Sequence, residues 1–219
     1  EFMPRLFAEN GRLLDSQGRI TLDTPEALRA LENYRETYSY SDRTIYDFWK
    51  NALEGFADGT AAMTVVFINY ASHILNSQMS RIAGKLGFAP VPGGKPLLGG
   101  GVIGITQSCT CPAAACKFLE WLYADLVAPV FTMLGGLSPC RSAYSNRDIS
   151  EQYPWLSTAR KSFPTAQRRS NSTYYQNFSE LQLETILAAH VQQAVLGVCS
   201  PEEALKQAQE DCNRYFQPW

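Results

Sequence analysis

The residues in this chain that could do chemistry begin with the glycines of 95-KPLLGGGVIGIT-106, where Gly99, Gly101 and Gly104 spell G-x-G-x-x-G. That spacing suits a backbone that approaches a pyrophosphate, but only where a strand precedes the glycines and a helix starts on them, so that free N–H groups and the helix dipole face the anion. Here a Pro-rich loop precedes and the β-like run Val102-Ile103-Gly104-Ile105 follows, so a glycine bend entering a strand is the better reading. Gly93-Gly94-Lys95 is followed by Pro96 and is no phosphate loop either.

Nucleophilic and metal chemistry are as poorly supplied. Ser138 in Gly135-Gly136-Leu137-Ser138-Pro139 lacks the glycine that a sharp nucleophile turn uses after its serine. Cys140 lies beside Arg141, yet neither His73 nor His190 can be assigned to it as a base. Those histidines read as helix-surface or satisfied core residues. The six cysteines, at 109, 111, 116, 140, 199 and 212, have neither the density of a disulfide scaffold nor zinc-site spacing. They read as buried or idle thiols, a usage that favours a reducing compartment. No metal, no cofactor and no catalytic residue is expected, and scattered acidic residues cannot be paired for glycoside hydrolysis from spacing alone.

What remains are aromatics on connections. Phe67, Tyr70, Tyr174, Tyr175 and Phe178 fall at strand ends or just before a helix, where side chains often line clefts. Aromatic faces stack on the apolar faces of sugar rings, while neighbouring Asn, Asp and Arg side chains bind hydroxyls. Ordinary core packing is the competing reading for each.

The elements that would position these residues follow from periodicity. Helices are expected over 24–38, with Thr24 as cap and Pro25 in the first turn, over 44–57, over 70–81 and over 111–127 with Pro112 in its first turn. Two more are expected over 180–197, stopped by Gly197, and from the capping box Ser200-Pro201-Glu202-Glu203 through Cys212. Trp49 and Trp121 sit in helix stripes and read as core. The apolar, β-branched runs 61–67, 86–94 and 101–106 read as strands, and Asn10-Gly11 and Gln17-Gly18 as turns.

At 219 residues, 45% hydrophobic with a net charge of −2, the chain can fill one large core or two smaller lobes. Its charges are dispersed apart from Arg168-Arg169, and nothing in them suggests a nucleic-acid surface. No apolar run approaches the roughly 20 residues that cross a bilayer. Glu1-Phe2 opens abruptly, as if the chain were cut from a longer one.

Seven stretches, in order, resemble the later part of family 1 of the extracellular solute-binding proteins, the maltose-binding-protein-like receptors of ABC importers. The first is 24-TPEALRALENYRETY-38, like the family's "s-P-e-a-l-x-A-l". The most telling is 56-FADGTAAMTV-65, like "F-x-x-G-k-A-A-M" before a strand. Then come 86-LGFAPVPGG-94, the glycine stretch itself, 112-PAAACKFLEWLYA-124, 134-LGGLSPCRSAYSN-146 and 197-GVCSPEEALKQAQED-211.

The resemblance implies an α/β, type II periplasmic-binding-protein-like fold that closes two lobes on a ligand. Residues 1–100 would belong to the second lobe, 101–135 to a hinge crossing and first-lobe segment, and 136–219 to second-lobe helices. It implies a non-catalytic receptor for a sugar or oligosaccharide, working with ABC permease subunits and not with nucleic acid, and extracytoplasmic, membrane-tethered or periplasmic. A homodimer is one way to cover surface left by an absent lobe. In the family an aromatic shortly after the A-A-M strand stacks on the sugar, a neighbourhood held here by Phe67, Asn69 and Tyr70. Tyr174, Tyr175 and Phe178 precede the long helix, where members supply another aromatic, and Arg141 falls near the cleft-edge "P-x-r". Many members place Trp where this chain has Gly101. A cytoplasmic ligand-sensing domain of a transcription regulator is the alternative, favoured by the cysteines, and a glycoside-processing enzyme ranks third.

Overall fold

A computed structural model describes residues 1–41, 49–169 and 180–216. In chain order the helices are α1 (Phe2–Ala8), α2 (Pro25–Tyr38), α3 (Trp49–Ala57), α4 (Ala71–Leu75), α5 (Pro112–Leu122), α6 (Val127–Met133), α7 (Ser142–Ser145), α8 (Arg147–Gln152), α9 (Pro154–Ser162), α10 (Glu180–Val195) and α11 (Pro201–Tyr215). Short 3-10 turns at Ile68–Tyr70 and Phe163–Thr165 lead into α4 and out of α9. The chain divides into two compact units, one of Glu1–Thr44, Val91–Gly99 and Thr165–Trp219, the other of Ile45–Pro90 and Gly100–Pro164. One passage between them, Gly99 to Gly100, falls inside the glycine stretch.

The first unit is a helical core whose boundaries obey local rules. Thr24 caps α2 by accepting from the Ala27 amide at 3.2 Å, and Pro25 takes the first helical position. Ser200 and Glu203 form the full capping box of α11, at 3.2 and 3.0 Å. Gly197, at φ 76°, ends α10, where the amides of Gly197 and Val198 close back on the carbonyls of Ala194 and Gln193. Leu183, Leu187, Val191 and Ala194 of α10 meet Ala204, Leu205, Ala208 and Cys212 of α11, with Leu31 of α2 and Leu6 of α1. The side chain of Gln209 then acts as a strand substitute: its Oε1 accepts from the Leu22 amide at 2.6 Å and its Nε2 donates to the Ile20 carbonyl at 3.0 Å.

The second unit is built of shorter helices around Trp155, which is 1% exposed, with Leu156, Ala159, Ala71, Ala128, Ala143 and Tyr144. The Tyr144 hydroxyl donates to the Ser138 carbonyl at 2.8 Å, and its ring meets Phe163 edge-on at 5.1 Å. The helix expected over 70–81 stops at Leu75, because Asn76 turns the chain: its Oδ1 accepts from the Gln78 amide and its carbonyl from Met79 and Ser80. The helix expected over 111–127 breaks at Tyr123 and resumes as α6. That expected over 44–57 is described from Trp49 onward.

Among the described residues no strand longer than an isolated bridge forms, only Leu14 with Ile20 and Leu97 with Gln167. The strands expected at 61–67, 86–94 and 101–106 are therefore corrected to unpaired runs. A β-branched sequence prefers a pleated, half-buried surface but becomes a strand only beside another, and no described segment pairs with these three. The strand signature survives in part: Met63, Val65 and Phe67 are exposed while Thr64 and Val66 are half-buried, a two-residue alternation.

Candidate ligand-binding site

The best-defined group of expected site residues lies on the second unit, at the turn that starts α4. Phe67 has β-region backbone angles (φ −63°, ψ 140°), and the Tyr70 amide closes a 3-10 turn on its carbonyl at 3.0 Å. Ile68 packs down on the core and Ala71 is buried within it, which fixes the turn. Phe67 consequently stands out, 51% exposed, with Asn69 exposed and Tyr70 half-buried beside it in sequence.

Arg141 precedes α7, whose Ala143 and Tyr144 enter the same core as Ala71. Its side chain is exposed, while its carbonyl accepts from the Ser145 hydroxyl at 2.9 Å. The loop before it passes close to α4 at Gly135, at φ 98°: a Cβ there would lie 2.4 Å from the Ser72 hydroxyl oxygen, so the approach requires glycine. That contact escaped sequence reading, although the pair Gly135-Gly136 was its visible signal. The turn carrying Phe67, Asn69 and Tyr70 thus shares a core, through Ile68 and Ala71, with the segment that carries Arg141.

Gly101 is exposed, and a Cβ there would meet nothing within 4 Å, so the fold does not demand glycine. Tyr174, Tyr175 and Phe178 lie outside the described residues. Trp121, read as core, is 56% exposed and stacks at a tilt on Phe118, ring centroids 5.8 Å apart, because the outer face of α5 meets no other described element. The Trp49 side chain lies outside the description.

The other candidates have structural employment. Ser138 is buried and its hydroxyl accepts from the Cys140 amide at 3.2 Å. The Cys140 thiol donates to the Tyr123 carbonyl at 3.3 Å. His190 Nε2 pairs with Asp211 at 2.9 Å and joins α10 to α11, while its Nδ1 is buried without a partner among the described residues. None of the six cysteines is paired, and burial, helped by the charge of Asp211, pushes the Cys212 thiol up to about 11. An open groove of about 490 Å³ in the first unit, lined by Glu32, Arg35, Glu36, Ser200, Pro201 and Glu202, contains none of the expected site residues. Among the described residues no group of three His, Cys, Asp or Glu side chains could hold a metal, and no helix is long and apolar enough to cross a membrane.

Residues 4–158 match the family described as bacterial extracellular solute-binding protein. The chain belongs to that family. Solved structures share its fold. The maltose-bound MalE3 of T. maritima is 23% identical with a TM-score of 0.81, over 98% of this chain and 56% of that one. A solute-binding protein of an ABC transporter from Thermotoga lettingae, bound with alpha-D-tagatose, is 26% identical with a TM-score of 0.73, over 97% and 55%. Another from Agrobacterium radiobacter K84, in complex with ribitol, is 23% identical with a TM-score of 0.74, over 98% and 56%. The chain therefore spans little more than half the length of these structural relatives.

Proposed function

We propose that this chain supplies part of the binding surface of an importer's receptor for a sugar or sugar alcohol, binding its ligand without transforming it. The observation that carries the reading is the core-anchored turn presenting an exposed Phe67 beside Asn69 and Tyr70. A flat aromatic offers stacking to the C–H face of a pyranose or polyol, and the amide and phenol offer hydroxyl partners. Arg141 adds a forked donor on the same unit. Maltose, tagatose and ribitol in the relatives support this ligand class. The lobes follow the resemblance, with 1–100 and 136–219 mainly in the second lobe and 101–135 crossing to the first; the unit passage at Gly99–Gly100 supports one of those boundaries. The receptor works outside the cytoplasm, tethered to the membrane or periplasmic, and delivers ligand to ABC permease subunits.

Calorimetry with maltose, tagatose and ribitol tests the reading on two proteins: the chain alone, and the chain joined to the part of T. maritima MalE3 that it does not span. Binding is expected only in the second, since much of the contact surface lies in that part. Phe67→Ala should weaken it about tenfold, near the 1.4 kcal/mol that a good aromatic contact supplies. Tight binding by the chain alone, or no effect of Phe67→Ala, contradicts the proposal. The six free thiols favour the second reading, a cytoplasmic ligand-sensing domain of a regulator. A secretion signal upstream in the gene would exclude it.

A further inference from the structure

The six thiols of this chain divide into two sets. Three are tied into the fold: the Cys140 thiol donates to the Tyr123 carbonyl at 3.3 Å, Cys212 is wholly buried, and Cys199 packs against the core of the first unit. The other three, Cys109, Cys111 and Cys116, fall within eight residues around the start of α5. Cys109 is half-buried, and Cys111 and Cys116 are exposed. None of these three thiols bonds to a described residue.

Two of the three can reach each other without moving the backbone. Residues two apart across trans peptides have Cα atoms about 5–7 Å from one another, and disulfides join Cα atoms roughly 4.4–6.8 Å apart. The chain bends at Thr110, between Cys109 and Cys111, which favours the shorter separations. Cys116 offers no such reach to Cys111. It lies five positions along α5 from that N-cap residue, where helical rise and radius set Cα atoms about 8.6 Å apart, beyond the roughly 7 Å that a bridge tolerates. The Ala115 amide, closed on the Cys111 carbonyl at 3.1 Å, holds Cys111 to that geometry, and the Cys109 amide closes a turn on the Thr106 carbonyl at 3.0 Å.

We propose that Cys109 and Cys111 form a reversible dithiol site whose co-reactant is a small-molecule disulfide. The exposed Cys111, as thiolate, attacks one sulfur of that disulfide; a mixed S–S bond forms as the old one breaks, and one small thiolate leaves. Cys109 then gives up its proton and attacks the Cys111 Sγ, which expels the second small thiolate. The protein loses two electrons and two protons, and the small disulfide gains both and departs as two thiols. The ring so closed holds a single residue between its cysteines, and a strained, exposed disulfide of this kind is easily reduced again. The inference is independent of the sugar reading. Closed, the pair suits an oxidising exterior, and open, a reducing interior, so these two thiols fit either compartment.

Oxidised glutathione is the probe, with alkylation and fragment mass spectrometry as the readout. The pair should consume one oxidised glutathione and release two reduced ones. The peptide carrying Cys109 and Cys111 should then lack two hydrogens, while Cys116 remains open to alkylation. Closure should run at least about tenfold faster than any reaction of Cys140, Cys199 or Cys212, whose access is restricted, and excess reduced glutathione should reverse it. Cys109→Ser should halt the reaction at a lasting glutathione adduct on Cys111, and Cys116→Ser should leave the rate of closure unchanged. The chain joined to the unspanned part of T. maritima MalE3 should react in the same way. Four results overturn the proposal: a bond from either cysteine to Cys116, a lasting glutathione adduct in the parent chain, thiols at 109 and 111 that do not react, or closure lost in the joined chain. The parent chain decides all four, so a variant that fails to fold leaves the test intact.

Discussion

Helices α11 and α5 invert the usual relation between sequence and burial. The first, PEEALKQAQEDCNRY, is crowded with charge and buries Pro201, Ala204, Leu205, Ala208 and Cys212; the second, PAAACKFLEWL, is mostly apolar and buries nothing. The difference lies in their neighbours. α11 presents a narrow stripe to α10 and α2 and keeps its charges in water. α5 turns only Ala115, Leu119 and Leu122 partly inward and leaves Phe118 and Trp121 without cover. Apolar content measures how much burial a helix demands, and a partner decides whether it is met.

The largest expected effect tests that contrast directly. Leu205→Ala should cost about 2–5 kcal/mol, because a side chain 1% exposed leaves a cavity when it is cut back. Leu119→Ala, on the half-covered side of α5, should cost less than about 1.5 kcal/mol by the same reasoning. Urea unfolding of both variants checks the pair. Equal costs would break the comparison, since they would mean that α5 is as well packed as α11.

Titration sharpens it next. The Cys212 thiol is held up to about 11 against an ordinary 9.0, chiefly by burial. A raised folded value means that the native state keeps the proton which the unfolded chain gives up. The stability contributed is therefore complete below pH 9.0 and is lost as the pH rises towards 11. The loss should be on the order of 2 kcal/mol. Cys212→Ala should flatten that part of the stability profile, as read by urea unfolding between pH 8 and pH 11, and an unchanged slope would refute the assignment.

The first unit was also the more legible in sequence, for the same physical reason. Thr24, Gly197 and the Ser200–Glu203 box act within a turn of their own helices, so their roles could be read from neighbours alone. Ser200→Ala, which removes one half of that box, should accordingly lower stability by about 1 kcal/mol in thermal unfolding. In the second unit only α5 is long enough to show a clear helical period; α6 to α9 are short, and α6 contains Pro129. Their order comes from Trp155 and Tyr144, contacts between residues distant in sequence. The runs 61–67 and 101–106 were read as strands on composition, but pairing is a property of two segments and cannot be written in one. Of the candidate residues, Phe67, Asn69, Tyr70 and Arg141 fall in one unit, and the close approach of Gly135 to Ser72 required coordinates to be seen.

The smallest expected effect on stability falls at Gly101. A side chain there meets nothing within 4 Å, and its φ is not left-handed, so Gly101→Trp should change stability by less than about 0.5 kcal/mol. The family resemblance implies Trp at that point in many members, and the substitution would place an indole on an open stretch. Its fluorescence, taken as the difference from the parent chain with its four tryptophans, should report full exposure to water in the isolated chain. In the chain joined to the rest of the T. maritima protein the emission should shift to the blue, and shift further on addition of sugar if the indole becomes a stacking platform. A cost above 2 kcal/mol would instead show that residue 101 is already covered, and the contrast between a packed unit and an uncovered one would fail at the residue where it is drawn most sharply.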